Sequence, residues 1–170
     1  MLACVDVDYR DSFAVAACVL LRNWESRHPE AEMTELVQPV APYEPGAFYK
    51  RELPCLLAVL SLVRVPLEAI LVDAYVDLAP GRPGLGRHLF ESLHVPVIGV
   101  AKTRFAGATH AMEVHRGVSR LPLYVTTAGY DPETAREGVR RMTGDHRIPD
   151  LLRRVDRLCR DAPGPTAPPR

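Results

Sequence analysis

Three short carboxylate-bearing segments could do chemistry: Val5-Asp6-Val7-Asp8, Arg51-Glu52 and Leu71-Val72-Asp73. Asp6 and Asp73 stand at the ends of apolar, β-branched runs, where burying a charge costs several kcal/mol unless something offsets it. A divalent cation shared by carboxylates from separate strand ends is a common offset. Mg²⁺ prefers one or two carboxylates and keeps its other positions for water and phosphate oxygens, so such a site points to phosphoryl chemistry. Acids placed this way predict a metal-dependent nuclease.

The elements that must position them can be read from periodicity. Residues 2–9 read as a buried strand and 13–21 as a second, with 10–12 short enough for a hairpin. Residues 24–33 are polar and contain a proline, which predicts a surface loop, and 34–40 read as a third strand. Pro42-Tyr43-Glu44-Pro45-Gly46 must be a loop, because two prolines and a glycine leave little regular structure possible. Residues 47–63 carry apolar side chains at helical spacing, with Pro54 either kinking the helix or marking its first turn. A short buried strand over 69–72, a helix over 85–93 and a strand over 95–100 follow, an alternation that implies parallel pairing. No structure is assigned to 104–120. A last strand over 121–127 and two helices, 132–142 and 149–160, complete the domain; Asp131-Pro132-Glu133 is an acidic helix start.

Three antiparallel strands followed by helix, strand, helix and strand is the order of the ribonuclease-H-like α/β fold, a mixed central sheet flanked by helices. That fold carries acids on its first strand, first helix and fourth strand, where Asp6, Glu52 and Asp73 fall. We therefore expect one domain over 1–160 and a disordered tail over 161–170, which is rich in proline.

Composition bounds the rest. The chain has 170 residues, 47% hydrophobic and 25% charged, as expected of a globular domain with a real core. No apolar run approaches the roughly 18 residues of a membrane span, and no charged-then-apolar leader opens it, so a cytoplasmic protein is expected. Cys4, Cys18, Cys55 and Cys159 are scattered without a C-x-x-C pair; the first three lie in apolar segments and read as small buried hydrophobes rather than a disulfide or zinc framework. Net charge is zero, which argues against a whole-surface grip on nucleic acid. From Arg136 to Arg160, however, eight arginines stand against four acids, either a solvated helical face or a phosphate-binding one.

Five segments resemble the endonuclease V family. Asp6-Val7-Asp8-Tyr9 matches its D-V-x-Y, and Pro42-Tyr43-Glu44-Pro45-Gly46 with Arg51-Glu52 matches its P-Y-x-P-G…R-E. Leu71-Val72-Asp73, Gly84-Leu85-Gly86-Arg87-His88-Leu89 and Gly99-Val100-Ala101-Lys102-Thr103 match its L-V-D, G-L-x-x-H-L and G-V-A-K-S/T. Pro122-Leu123-Tyr124-Val125 and Arg147-Ile148-Pro149 extend the similarity more loosely. The resemblance implies a Mg²⁺- or Mn²⁺-dependent endonuclease that cuts DNA or RNA one nucleotide beyond a deaminated purine, chiefly inosine, on its 3′ side; separately, a monomer with no membrane partner is expected. It implies Asp6 and Asp73 as metal ligands completed by Glu52, and Lys102 as the stabiliser of charge at the scissile phosphate. The loop of Tyr43, Pro45 and Gly46 would be a wedge that separates strands beside the lesion; base–aromatic stacking is worth roughly 1–3 kcal/mol.

The chain departs from that family in four places. The D-G-x-G-x-x-H-P-R segment is here Asp73-Ala74-Tyr75-Val76-Asp77-Leu78-Ala79-Pro80-Gly81, without its glycines and with Ala79 at the histidine. The histidine of Y-V-S-x-G-H, which lies near the metal, aligns with Tyr130. The 104–120 region is shorter than usual, and the helix before the first strand is missing. The alternative is therefore a diverged, weak or inactive member that binds nucleic acid through the Tyr43 loop and the C-terminal arginines, or binds a protein partner. Asp8 reads as an outward-facing strand residue, Asp77 as a solvated loop acid and His88 as a helix-packing residue. His28, His94, His110 and His115 show no ligand spacing, and His146 is placed outside the site.

Overall fold

A computed structural model of the chain describes residues 1–42 and 44–165. Its elements run β1 (Leu2–Tyr9), β2 (Ala14–Leu21), β3 (Ala31–Val37), α1 (Tyr49–Leu60), β4 (Ala69–Val72), β5 (Asp77–Ala79), β6 (Arg82–Pro83), α2 (Leu85–Leu93), β7 (Val97–Ala101), β8 (Met112–Val114), β9 (Leu123–Ala128), α3 (Pro132–Arg141) and α4 (Asp150–Asp161). Seven strands form one sheet in the order β3-β2-β1-β4-β7-β9-β8, and β5 and β6 make a separate hairpin. β1 pairs antiparallel with β2 and β2 with β3, the expected meander. β1, β4 and β7 are parallel, as the helical crossovers between them require, and β9 runs antiparallel to β7. This is the ribonuclease-H-like architecture.

Strand alternation sorts the sheet's two faces. Leu2 and Cys4 pack with Val139, Leu151 and Val155 under α3 and α4, whereas Ala3 and Val5 pack with Cys55, Leu56 and Leu89 under α1 and α2. β2 is buried along its whole length because helices cover both faces. Asp6 therefore belongs to the face that α4 covers.

The structure corrects several expectations. β3 begins at Ala31 rather than Thr34, and Trp24, expected in a surface loop, is buried. The reason is α3: a Cβ on Gly138 would lie 2.4 Å from the Trp24 ring, so the helix carries a glycine to seat the indole. Pro54 lies inside α1, six residues into the helix, and so does not mark its first turn. The unassigned 104–120 region contributes β8, the sheet's edge strand beside β9. It is also pinned at its start, where the Tyr75 hydroxyl donates to Thr103 O at 2.9 Å and accepts from Phe105 N at 3.1 Å. Helix α3 starts at Asp131-Pro132-Glu133 as expected, and the Asp131 carboxylate caps it, accepting from Thr134 N at 2.8 Å. α4 continues through Asp161. Residues 166–170 of the proline-rich tail lie outside the described residues, as does the disorder expected there; among the described residues no helix is long and apolar enough to cross a membrane.

Candidate active site

Parallel strands end at the same edge of a sheet, and side chains leaving those ends share its loops. Asp6 lies near the end of β1, Asp73 directly follows β4 and Lys102 directly follows β7. Together they line one small pocket with Val5, Val100, Leu123, Ile148, Leu152 and Val155, the last three supplied by α4 and the turn before it. Asp73 is aimed by a crossing that only a glycine permits. The chain after it passes so close over β7 that a Cβ on Gly99 would sit 2.3 Å from Ala74 O. Val76 N then donates to Thr126 Oγ1 at 2.9 Å, which fastens the crossing to β9.

The electrostatics show acids crowding one another. Burial pushes the Asp6 carboxyl up to about 6; the charges of Asp73 and Asp156 add to this, while the Val7 amide at 2.9 Å and Lys102 oppose it. Glu52 is buried in the first turn of α1 and is pushed up to about 8, by burial first and then by Asp6 and Asp73. The Lys102 ammonium hydrogen-bonds Asp73 Oδ2. Burial works against its charge, but Asp73, then Asp6 and Asp156, hold its pKa above the usual lysine value.

Asp6 and Asp73 thus act on both Glu52 and Lys102, but these two come from different sides. Asp6, Asp73 and Lys102 meet in the pocket under α4, and Glu52 approaches from α1 on the opposite face. Among the described residues no three His, Cys, Asp or Glu side chains stand as a ready ligand set. The donor chemistry nonetheless suits a hard divalent cation: the groups are carboxylate oxygens, their like charges repel, and one ammonium offsets them.

Asp156 is the residue that sequence reasoning missed. It lies on α4, next to the pocket-lining Val155, and its charge acts on both Asp6 and Lys102. Its own carboxylate accepts from Arg160 Nε at 3.1 Å. The signal available in sequence was its place seven residues after Pro149 in the segment opened by Arg147-Ile148-Pro149.

Asp73 also opens a second, larger space. It lines a groove of about 460 Å³ with Gly46, Phe48, Tyr49, Tyr75, Leu85 and His88 among its walls. Tyr49 and His88 stack there with ring centroids 3.8 Å apart, the packing role expected of His88. Gly46, at φ +80°, brings its turn to the groove, and Lys50 Nζ holds Glu44 at 2.8 Å behind it. Tyr43 lies outside the described residues, as does the wedge role expected of it; Pro45 stands in that turn.

Other expectations resolve plainly. Asp77 is bound in two-pronged fashion by Arg87, at 3.0 and 2.6 Å, rather than solvated. Asp8 pairs with Arg10 at 3.0 Å. Tyr130 does not occupy a site position. Since β9 is antiparallel to β7, the residues after Ala128 emerge where β7 begins, at the far end of the sheet from Lys102. There the Tyr130 hydroxyl donates to Glu68 Oε1 at 2.7 Å and the ring packs edge-on against Trp24. The C-terminal arginines are largely spent on acids: Arg136, Arg140, Arg141, Arg153, Arg154 and Arg160 each form an ion pair.

Known proteins resemble this arrangement. The family model described as Endonuclease V matches residues 1–130. The endonuclease V of Streptomyces avermitilis is 34% identical over 181 residues, which cover 93% of this chain and 78% of the relative. Its crystal structure superposes with a TM-score of 0.76 at 29% identity, over 94% of this chain and 79% of that one. At the level of fold, the chain also matches Ciona intestinalis endonuclease V in complex with a 23mer DNA containing an inosine followed by a ribo-adenosine. That match has a TM-score of 0.80 at 19% identity and covers 94% of this chain and 83% of that one.

Proposed function

The chain belongs to the endonuclease V family, and on that footing we propose that it is a metal-dependent endonuclease hydrolysing a phosphodiester near deaminated purines, inosine above all, in DNA or RNA. The observation that carries this reading is the double role of Asp73. One carboxylate borders both the acid pocket and the aromatic groove, so a base held in the groove leaves its phosphates beside the acids.

Each residue then has a task its position allows. Asp6 and Asp73 would hold Mg²⁺ or Mn²⁺, with Asp156 and Glu52 completing the negative surround. When bound, the ion supplies a water of lowered pKa and neutralises charge developing on the phosphate. Lys102, at the pocket's edge, places a second positive charge where the scissile phosphate must lie. Glu52, whose carboxyl is pushed up to about 8, is suited to exchange a proton near neutral pH. The groove walls, with the Tyr49–His88 stack among them, suit an extruded purine, and extruding a damaged or mismatched base costs least.

The test is nicking of an inosine-containing strand with Mg²⁺ or Mn²⁺. Asp6→Ala and Asp73→Ala should abolish it, and Asp156→Asn should reduce it severely. A wild-type protein that nicks with neither metal defeats the reading. The alternative, a weak or inactive member that binds nucleic acid through the Tyr43 loop and the C-terminal arginines or binds a protein partner, predicts salt-sensitive binding that survives Asp6→Ala; six of those eight arginines would have to exchange a carboxylate for a phosphate.

A further inference from the structure

Two like charges on separate elements act on each other at the acid pocket: Asp6, which lines it from β1, and Asp156 on α4, next to the pocket-lining Val155. Repulsion between them works against the apolar packing of Leu151, Val155 and Cys159 that seats α4 on the sheet, so a further hold at the helix end matters. One side chain supplies it where the helix ends. Arg10, directly after β1, donates from Nη2 to Cys159 O at 3.2 Å, Arg160 O at 2.8 Å and Ala162 O at 2.9 Å. Its Nε is held by Asp8 Oδ2 at 3.0 Å, and its backbone N donates to Phe13 O at 2.9 Å in the β1–β2 turn. The guanidinium also lies 5.3 Å from the centre of the Phe13 ring, which itself packs into the core cluster beneath α4. The last carbonyls of a helix lack intrahelical partners and carry the negative end of its dipole, so a cation there has two reasons to bind.

The grip reaches Asp156 by a short route. Arg10 holds the carbonyl of Arg160, and the Arg160 guanidinium braces the Asp156 carboxylate at 2.9 Å. Before the start of α4, Arg147 is the opposite anchor, donating from Nη2 to Pro122 O at 2.9 Å and to the carbonyl of Lys102 itself. Helix α4 is thus tied near one end to the strand that delivers Asp6 and near the other to the residue that pairs with Asp73.

We propose that Arg10 is a positioning residue: by gathering the final carbonyls of α4 it fixes the helix that carries Asp156 and the pocket-lining Leu152 and Val155 against the end of β1. The proposal rests on the metal-site reading above and extends it to a residue outside the pocket. Arg154 supplies the control. It lies on the same helix and ties it to the sheet through Glu32, at 2.6 and 2.7 Å, but on β3, away from the acids.

The experiment is a Mn²⁺ titration of the full chain, followed by the electron paramagnetic resonance signal of free Mn²⁺. Groups that orient metal ligands typically cost 10–100-fold in affinity when removed. Arg10→Ala should therefore weaken Mn²⁺ binding roughly tenfold, while Arg154→Ala stays near the wild-type affinity even where it lowers the melting temperature. Arg10→Lys should recover part of the loss, keeping the charge without the planar fork. Wild-type affinity in Arg10→Ala, or an equal loss in Arg154→Ala, overturns the proposal. If Arg10→Ala fails to fold, Arg10→Lys decides alone, and an unchanged affinity overturns the proposal. A wild type that binds Mn²⁺ but does not cut an inosine strand removes the proposed substrate and leaves the positioning claim to the titration. A wild type that binds no Mn²⁺ overturns both.

Discussion

The Lys102 ammonium donates to Asp73 Oδ2, joining the ends of the adjacent parallel strands β7 and β4. The contact places the chain's one strand-end lysine inside the field of three aspartates, Asp73, Asp6 and Asp156. It acts as a counter-charge in the metal-free protein, and on the proposed reading it turns to the phosphate once a divalent ion takes the carboxylates.

Lys102→Met separates those two duties. Both partners are about 40% exposed, so water screens the pair and the metal-free protein should lose only about 1 kcal/mol. Nicking at saturating metal should fall about 100-fold, as for loss of a charge-stabilising donor. Urea unfolding and a single-turnover nicking assay measure the two. A variant that nicks at the wild-type rate excludes Lys102 from phosphate stabilisation.

The buried acids set the pH dependence of the metal-free protein. Asp6 is raised from 3.8 to about 6 and Glu52 from 4.5 to about 8. Across that window the native state binds more protons than the unfolded chain, so unfolding free energy falls as pH rises. Above about pH 5, where the lowered carboxylates such as Glu32 and Asp131 are already ionised, melting temperature should decline up to about pH 8, and Mg²⁺ should restore more of it at pH 8 than at pH 5. Asp6→Asn should flatten the lower part of the decline. Scanning calorimetry with and without Mg²⁺ would show it, and a curve that rises over this range contradicts the burial of these carboxyls.

Gly99→Ala tests how Asp73 is aimed. The added methyl meets Ala74 O at 2.3 Å and Thr126 Oγ1 at 2.8 Å, both held in place, so the crossing must shift. Overpacking of this kind costs about 1–3 kcal/mol. The variant should melt lower and lose Mn²⁺ affinity together, because the displaced segment begins at Asp73. Retained affinity would show that Asp73 is held from elsewhere.

Tyr130 offers the opposite case. Tyr130→Phe should cost about 1 kcal/mol by losing its hydrogen bond to Glu68 and leave nicking unaltered. Tyr130→His should not raise activity, since position 130 lies at the far end of the sheet from the acids. A gain in nicking by the histidine variant would refute that placement.

Much of this protein could be read from its sequence, for reasons that were local. The strand runs around Asp6 and Asp73, the helix that carries Glu52 and the capping aspartate before α3 each follow from the spacing of a few neighbouring residues. Crossover helices between β1, β4 and β7 made parallel pairing the expected outcome, and parallel strands deliver their ends to one edge. Asp6, Asp73 and Lys102 meet there for that reason.

What tertiary structure alone decided depends on which face of the sheet each helix covers. Asp156 is an ordinary surface acid until α4 packs on the face that Asp6 shares, and Arg10 is a turn residue until the end of that helix arrives above it. The C-terminal arginines formed a basic stretch in sequence, yet most are matched with acids, two of them from distant segments: Glu25 for Arg141 and Glu32 for Arg154. Tyr130 aligned with a site residue and lies at the opposite end, because the antiparallel course of β9 carries the chain away from the acids. Sequence spacing specifies the period of a strand or helix; the partner across the sheet, and with it the local charge, is specified only when the elements pack.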